Sequence, residues 1–174
     1  LRYFDEMAYK EMAEVLTPQR LLEFKQYEPK RKFRWILEIG GLDAYVMKTA
    51  ARPQATFEET VIDYINAKRW ISGKHTWNPI AVTLHDPIAP SASQKVMNWM
   101  RRNYEPLTGR MGYASVYKEN ITLKLLDPQG AVAELWDLEG AWCMDINFGD
   151  LDYASSDNAE ISLSIRFDNA TLQF

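Results

Sequence analysis

The last quarter of the chain, residues 131–174, shows the clearest alternation of apolar and polar positions. Three strands are predicted in it: an irregular one leading into Gly140, a second at residues 142–148 and a third at residues 161–167. Alternation of this kind directs every second side chain to one face of a sheet. The rest of the chain must therefore supply a cover for the apolar face of this meander.

The register of the third predicted strand follows from its apolar positions. Leu163 and Ile165 are expected on the buried face, which sends Ser162 and Ser164 to the opposite face. A shift by one residue would reverse all four positions, so this expectation has a sharp structural test.

The same alternation predicts strands upstream. Residues 33–39 form the first, and Gly40-Gly41 is expected to turn the chain into a hairpin partner at residues 45–49. Residues 57–71 predict a strand, a turn and a strand, with Gly73 ending the second. Two more strands are predicted at residues 77–84 and 121–125, the latter ending in the turn 127–130.

The clearest predicted helix spans residues 91–103. Ser91 and Gln94 have the spacing of a capping box, and Val96 and Trp99 fall on one face. Trp99 and Trp142 are both expected in the core. The predicted fold class is mainly β, a sandwich or half-barrel with one flanking helix.

Length and composition predict one ordered domain. A chain of 174 residues, 47% hydrophobic and 25% charged, can bury a sizeable core. Residues 1–32 are predicted as a helical arm and linker, and residues 33–174 as a single β domain. The 6 tryptophans and the 13% aromatic content favour a protein that assembles, because cores and interfaces both use such residues.

Charge, cysteine content and hydropathy narrow the function classes. The net charge of −4 offers no attraction for phosphate backbones, which argues against sequence-specific nucleic-acid binding. Cys143 is the only cysteine, so no internal disulfide is expected. No apolar run approaches the roughly 20 residues that span a bilayer, and no membrane association is predicted.

The sequence lacks the residue patterns that carry common chemistry. Ser72-Gly73-Lys74 has no upstream glycine for a phosphate-binding loop, and the acidic run 150–157 lacks the glycine and glutamate of a calcium loop. His75 and His85 flank one predicted strand and are expected at its opposite ends. No catalytic residue, metal site or cofactor is predicted, and the chain is not expected to be an enzyme.

Trp70 stands apart from the tryptophans expected in the core. The segment 67–71 mixes charges with large apolar side chains and lies between turn signals. A hairpin of this composition can project from the domain and bury apolar surface against another subunit.

Two blocks of the sequence resemble the tail tube proteins of long-tailed bacteriophages, in particular the contractile-tail type. One runs through residues 65–77 into the strand 80–86, and the other runs from Gly140-Ala141-Trp142 to Phe167-Asp168. With the helix between them, the resemblance covers roughly residues 33–174. It implies a β-sandwich or half-barrel whose six-fold rings join their inner sheets into one barrel and stack into a tube.

The resemblance implies a structural virion protein of the tail, assembled in the host cytoplasm. Hexameric rings of this one chain would form the inner tail tube, a conduit for the tape-measure protein and for DNA that passes without specific binding. The tail sheath and a baseplate or tube initiator are the further implied partners. Pairing of sheet edges between subunits would also satisfy the unpaired backbone groups at the open edges of a meander.

Site residues follow from the same resemblance. The projecting hairpin at residues 59–77 is the candidate for the contact between rings, because stacking needs a heterologous contact that does not close. Its candidate contact residues are Asn66, Lys68, Arg69, Trp70 and Lys74. The candidates for the lumen face are Thr83, Thr122, Glu160, Ser162 and Ser164.

The sequence leaves two alternative functions open. The tube of a bacterial contractile injection or secretion system shares the implied fold and differs in its cargo. A small ligand-binding β-barrel would need an apolar cavity and no obligate partner. An enzyme on a β-sandwich is disfavoured by the missing catalytic patterns.

Overall fold

A computed structural model describes residues 28–173 of the chain. The residues from Lys32 onward form one compact unit. The predicted helical arm lies, up to residue 27, outside the described residues. No helix within residues 28–173 is long and apolar enough to cross a membrane.

The described residues are mainly β, as predicted, and one long helix accompanies the strands. The strands are β1 Trp35–Glu38, β2 Met47–Ala50, β3 Gln54–Tyr64, β4 Ala67–Asn78, β5 Ile80–His85, β6 Tyr104–Glu105, β7 Arg110–Met111, β8 Glu119–Leu126, β9 Val132–Asn147, β10 Glu160–Arg166 and β11 Asn169–Leu172. The helices are α1 Ala92–Asn103 and the one-turn α2 Ala114–Tyr117, and Ala44–Val46 forms a 3-10 turn.

Seven strands form one open antiparallel sheet in the order β1-β8-β9-β10-β5-β2, with β11 also paired to β9. The 16-residue strand β9 joins its two halves. The beginning of β9 pairs with β8 and β11, which with β1 form the first half. The end of β9 pairs with β10, and β5 and β2 follow to complete the second half. This open arrangement confirms the predicted sandwich or half-barrel.

Both halves and helix α1 bury their apolar residues in one shared core. The register predicted for β10 is confirmed: Leu163 and Ile165 are buried, whereas Ser162 is exposed and Ser164 half-buried. The main core residues are Leu37, Ile39, Ile80, Val82, Leu84, Val96, Trp99, Ile121, Leu123, Leu138, Ile161, Leu163, Ile165 and Phe167.

The first two predicted strands of the C-terminal meander are one strand. Gly140, expected at a turn, lies inside β9 with a φ of 65°. A Cβ atom there would lie 2.3 Å from Oδ2 of Asp168, so glycine is the residue that fits both the backbone and the space. The chain thus passes from one half of the sheet to the other without ending the strand.

The predicted hairpin between the first two strands is wrong, although its turn is present. The Leu42 N–H donates to the Ile39 carbonyl at 3.0 Å and closes a tight turn at Gly40-Gly41. Strand β1 nevertheless pairs with β8, and β2 pairs with β5 in the other half. The intervening 3-10 turn buries Val46, so long-range apolar contacts rather than the local turn select the partners.

The predicted strand, turn and strand at residues 57–71 is confirmed as the hairpin β3–β4. Its two-residue turn is Ile65-Asn66, with Ile65 at a φ of 51°. Gly73, expected to end the second strand, is instead part of a bulge within β4. Phe57 pairs with His75 on one side of this bulge, and Glu59 pairs with Ser72 on the other.

The two tryptophans expected in the core have different positions. Trp99 is 4% exposed, as predicted, and its Nε1 donates to the Tyr117 carbonyl at 3.0 Å. Trp142 is half-buried outside the core, with its ring 6.3 Å from that of Tyr117. A bulge in β9 leaves Met144 as the extra residue, so the alternation expected along this strand is broken and Cys143 faces the core.

The predicted helix is confirmed as α1, and Ser91 is its N-cap residue. Ser91 Oγ accepts from the Gln94 N–H at 3.4 Å, and the Asp86 carboxylate accepts from the Ser93 N–H at 3.1 Å. A hydrogen bond from Lys95 lowers the pKa of Asp43 below its ordinary value. The residues after α1 build the short β6–β7 pair and α2.

Candidate assembly surfaces

The titratable side chains Cys143 and Glu134 take part in packing and hydrogen bonding. Within residues 28–173 no cluster of three or more His, Cys, Asp or Glu side chains could hold a metal ion. Burial raises the pKa of the Cys143 thiol to about 12, with a further contribution from the charge of Glu119. The buried Glu134 carboxylate accepts from Trp136 Nε1 at 2.6 Å and from Arg52 at 3.3 Å. The surfaces that need explanation are the exposed apolar ones.

The hairpin β3–β4 forms a separate two-stranded sheet. One face carries Trp70 beside Val61, an exposed apolar pair. Toward the tip, Lys68 and Asp63 approach within 3.6 Å on the same face. Because Trp70 is 57% exposed, it does not belong to the core of its own subunit.

The opposite face of the hairpin is also apolar. Ile62, Tyr64 and Ile71 are all exposed there, with Arg69 paired opposite Ile62. A hairpin that packed only against its own domain would show one apolar and one polar face. Exposed apolar side chains on both faces are typical of a surface that takes part in assembly.

A chain of rings fixes the base of the hairpin to the core. The Phe167 and Trp77 rings lie 5.8 Å apart, Trp77 and His75 6.0 Å apart, and His75 and Phe57 5.9 Å apart. Phe167 is buried, whereas Phe57 is exposed. The base of the hairpin is therefore held by ring contacts, while its outer part extends beyond them.

The structure brings all five predicted contact candidates to this hairpin. Asn66 lies in the turn, and the other four follow along β4, with Lys74 in the bulge. All five residues are exposed. Strand β3 contributes Phe57, Ile62 and Tyr64, exposed apolar residues that were not among the predicted contacts. Apolar residues at both odd and even positions of this segment were the available signal.

Four of the five lumen candidates share the outward face of the second half of the sheet. Ser162 pairs with Thr83 on one side and with Asn147 on the other, and Thr83 pairs with Thr49. A row of small, uncharged polar side chains thus crosses all four strands. Ser164 lies in the neighbouring row of the same face.

Glu160 lies on the same face in the next row, on the opposite side of Ser162 from Ser164, and is paired with His85. Its carboxylate forms an ion pair with Lys48 and lies 4.0 Å from His85 Nδ1. Thr122, the fifth candidate, lies in the first half instead, where its hydroxyl donates to Asp137 at 3.4 Å. The structure therefore separates Thr122 from the other four.

The second half of the sheet has two open edges. Strand β2 pairs with β5 on one side, and no described strand pairs with its other side. The end of β9, from Cys143 to Asn147, pairs with β10 alone among the described strands. Open edges of this kind are templates for pairing with a strand of another molecule.

Known protein families and solved structures include chains that are similar to this one. The family model described as "T4-like virus tail tube protein gp19" matches residues 31–171. A chain of the anti-feeding prophage tube-terminating cap is similar in structure, with a TM-score of 0.68 and 17% identity over 84% of this chain and 92% of that one.

Two structures of an extracellular contractile injection system, PVC, are similar as well. A chain of the extended sheath–tube complex gives a TM-score of 0.67 and 15% identity over 90% of this chain and 98% of that one. A chain of the sheath/tube terminator gives 0.69 and 14% over 86% and 99%. At these identities the likeness shows the fold. Comparison with curated protein sequences gives no match.

Proposed function

The chain belongs to the T4-like virus tail tube protein gp19 family, and we propose that it is the repeating subunit of a viral tail tube built from stacked hexameric rings. The observation that carries this proposal is the combination of an open polar half-sheet with a hairpin that is apolar on both faces. The role is structural and requires no catalytic step.

In the ring, the second half of the sheet forms the wall of the lumen. The unpaired side of β2 in one subunit pairs with the unpaired side of β9 in the next, so that the four-stranded half-sheets join into one barrel. Edge pairing satisfies backbone donors and acceptors that the isolated subunit leaves to water. The closed barrel has no edge left to recruit further chains within the ring.

The lumen face consists of Thr83, Glu160, Ser162 and Ser164 with their neighbours. Short hydroxyl side chains present little positive charge to a passing phosphate backbone, so DNA moves without being held. Thr122 is not part of this surface, because it lies in the other half of the sheet. The same wall accommodates a tape-measure protein before DNA enters.

Rings stack through the hairpin. Its contact set is the predicted Asn66, Lys68, Arg69, Trp70 and Lys74, together with the apolar residues of β3. The similar chains come from structures described as a sheath–tube complex and a baseplate, and we extend those partners to this tube. Assembly in the host cytoplasm and incorporation into the tail of the virion complete the proposal.

A contractile injection system is the second candidate, favoured by the structural likeness to the anti-feeding prophage and PVC chains. The two functions share the tube and differ in what it conducts. Purified native particles separate them: nuclease-protected DNA within a particle supports the viral tail, and tubes that hold protein and no DNA support the injection system.

Electron microscopy of the purified protein and of a trimmed variant tests the proposal. Replacing residues 60–71 by Asn-Gly closes the hairpin immediately beyond the Glu59–Ser72 pair and keeps the aromatic contacts at its base. The wild type is expected to form hollow tubes at high protein concentration. The trimmed variant is expected to melt at the same temperature and to stop at single rings, and normal tubes from it would remove the hairpin from the stacking role.

A further inference from the structure

The two ends of the second half of the sheet differ in what they expose. At one end, β4 ends at Asn78 and β5 starts at Ile80, so the hairpin β3–β4 is attached there. At the opposite end His85 pairs with Glu160, which brings together the segment after β5 and the loop 148–159 between β9 and β10. The hairpin and this loop therefore lie at opposite ends of the same strands.

The loop end exposes large apolar side chains. Leu151 is 91% exposed, and Tyr153 and Ile88 are fully exposed. The backbone N–H of Asp86 donates to the Ala159 carbonyl at 3.1 Å, which ties the segment carrying Ile88 to the end of the loop. Such side chains gain free energy when another molecule covers them.

The loop has a defined shape without a partner. Gly149 has a φ of 77°, and a Cβ atom there would lie 2.7 Å from the Glu160 carbonyl oxygen, so the two ends of the loop approach closely. Asp152 Oδ1 accepts from the Ala154 N–H at 3.0 Å, and Ser155 Oγ accepts from the Asp157 N–H at 3.1 Å. These local turns present Leu151 and Tyr153 outward and lower the entropy cost of docking.

We propose that the loop end, meaning Ile88 with the loop 148–159, is the surface on which the hairpin of a second copy of this chain docks. This inference rests on the proposed tube, and it adds the receiving surface that the tube requires. Charge selects the occupant, because the loop carries Asp150, Asp152 and Asp157. On the hairpin, Asp63 offsets Lys68, whereas Arg69 lies on the other face, where the paired residues Thr60–Ile71, Ile62 and Tyr64–Ala67 include no acidic side chain. Apolar residues on both surfaces supply the buried area, and the opposite charges set the register.

The polarity of the subunit makes this contact heterologous. A donor at one end of the strands and an acceptor at the other join copies head to tail, a contact that repeats without closing on itself. The hairpin strand β3 has 11 residues, which corresponds to roughly 35 Å, whereas the 6 residues of β5 span roughly 20 Å. The hairpin is thus long enough to reach across the boundary between two rings.

A charge-exchange experiment tests the pairing of these two surfaces. In one variant Asp150 is replaced by Lys; in the other Arg69 is replaced by Glu. Each variant alone places like charges together and is expected to reduce tube formation at least tenfold, measured by sedimentation and electron microscopy, with an unchanged melting temperature. A mixture of the two variants, or both changes in one chain, is expected to restore tubes.

Matched controls separate the possible failures. Glu139→Lys changes an exposed acidic residue in the first half of the sheet and is expected to leave tube formation unchanged. Normal tubes from the Asp150→Lys variant, or no restoration in the combined chain, would overturn the docking surface while leaving the tube intact. If the wild type itself forms neither rings nor tubes, the proposed function fails and this inference fails with it.

Discussion

At the scale of single residues, the two tryptophans expected in the core show how one extra residue redirects a strand. Trp99 lies on a regular helix, and its 4% exposure follows from helical spacing. Trp142 lies in β9 next to the bulge at Met144, and the interrupted alternation leaves it half-buried against Tyr117. A bulge depends on the pairing with the neighbouring strand, so the local pattern of apolar and polar residues does not predict it.

Replacement of each tryptophan by alanine should lower the free energy of unfolding by different amounts. Trp99→Ala removes a buried ring and is expected to lower the free energy of unfolding by about 3 to 5 kcal/mol. Trp142→Ala removes a ring contact outside the core, and its expected cost is about 1 kcal/mol. Urea denaturation of both variants measures the difference, and equal losses would return Trp142 to the core.

Cys143 gives a prediction of pH dependence. Burial raises the pKa of its thiol to about 12 from 9.0. Between these values the unfolded chain releases the proton and the folded chain retains it, so the free energy of unfolding falls as the pH rises through this window. The Cys143→Ala variant lacks this contribution, and its stability should fall less steeply from pH 9 upward. Identical slopes for the two proteins would contradict the burial of the thiol.

At the scale of elements, a glycine marks the point where β9 passes between the two halves of the sheet. Gly140 carries β9 from one half of the sheet to the other, beside an Asp168 carboxylate that Lys118 holds at 2.6 Å. A side chain at Gly140 must displace Asp168 and break this ion pair. The positive φ adds a backbone cost that any other L-residue would carry.

Gly140→Ala is therefore expected to cost more than Gly130→Ala. Gly130 also has a positive φ, 90°, yet no atom lies within 4 Å of a Cβ built there. Its substitution should cost about 1 to 2 kcal/mol for the left-handed backbone alone. Thermal unfolding of both variants provides the comparison. A Gly140→Ala variant as stable as Gly130→Ala would mean that Asp168 moves away without loss.

The sequence predicted the individual helices and strands better than the pairing between strands. The capping residues and apolar spacing of α1 and the composition of the β3–β4 hairpin are local, and both predictions held. The pairing of β2 with β5 and the continuity of β9 through Gly140 depend on residues distant in the chain. Alternation along β5 and β10 was enough to place four lumen candidates on one face of the sheet. The position of Thr122 depends on the half of the sheet that β8 joins, which the alternation within β8 does not reveal.

At the scale of the whole molecule, the proposed ring would give the polar face of the second half of the sheet its role as the wall of the channel. A lysine placed there should convert a passive wall into a DNA-binding one, because each ring then carries several cations around a narrow channel. Ser162→Lys is expected to leave the melting temperature unchanged. Tubes of this variant should retain a labelled single-stranded oligonucleotide on pelleting, and retention should fall as salt rises.

The control for this experiment is Thr171→Lys, which adds the same charge to an exposed position of β11 in the first half of the sheet. Its tubes should retain less oligonucleotide than those of Ser162→Lys. Retention by the Thr171→Lys tubes that equals or exceeds that of the Ser162→Lys tubes would place the lumen on the other half of the sheet.

Cryo-electron microscopy of the assembled protein is the decisive test of the proposed tube. The expected reconstruction is a hollow tube of stacked six-membered rings, with Thr83, Ser162 and Ser164 facing the channel and the hairpin contacting the adjacent ring. A reconstruction with these side chains on the outer surface, or with hairpins that contact only their own ring, would contradict it.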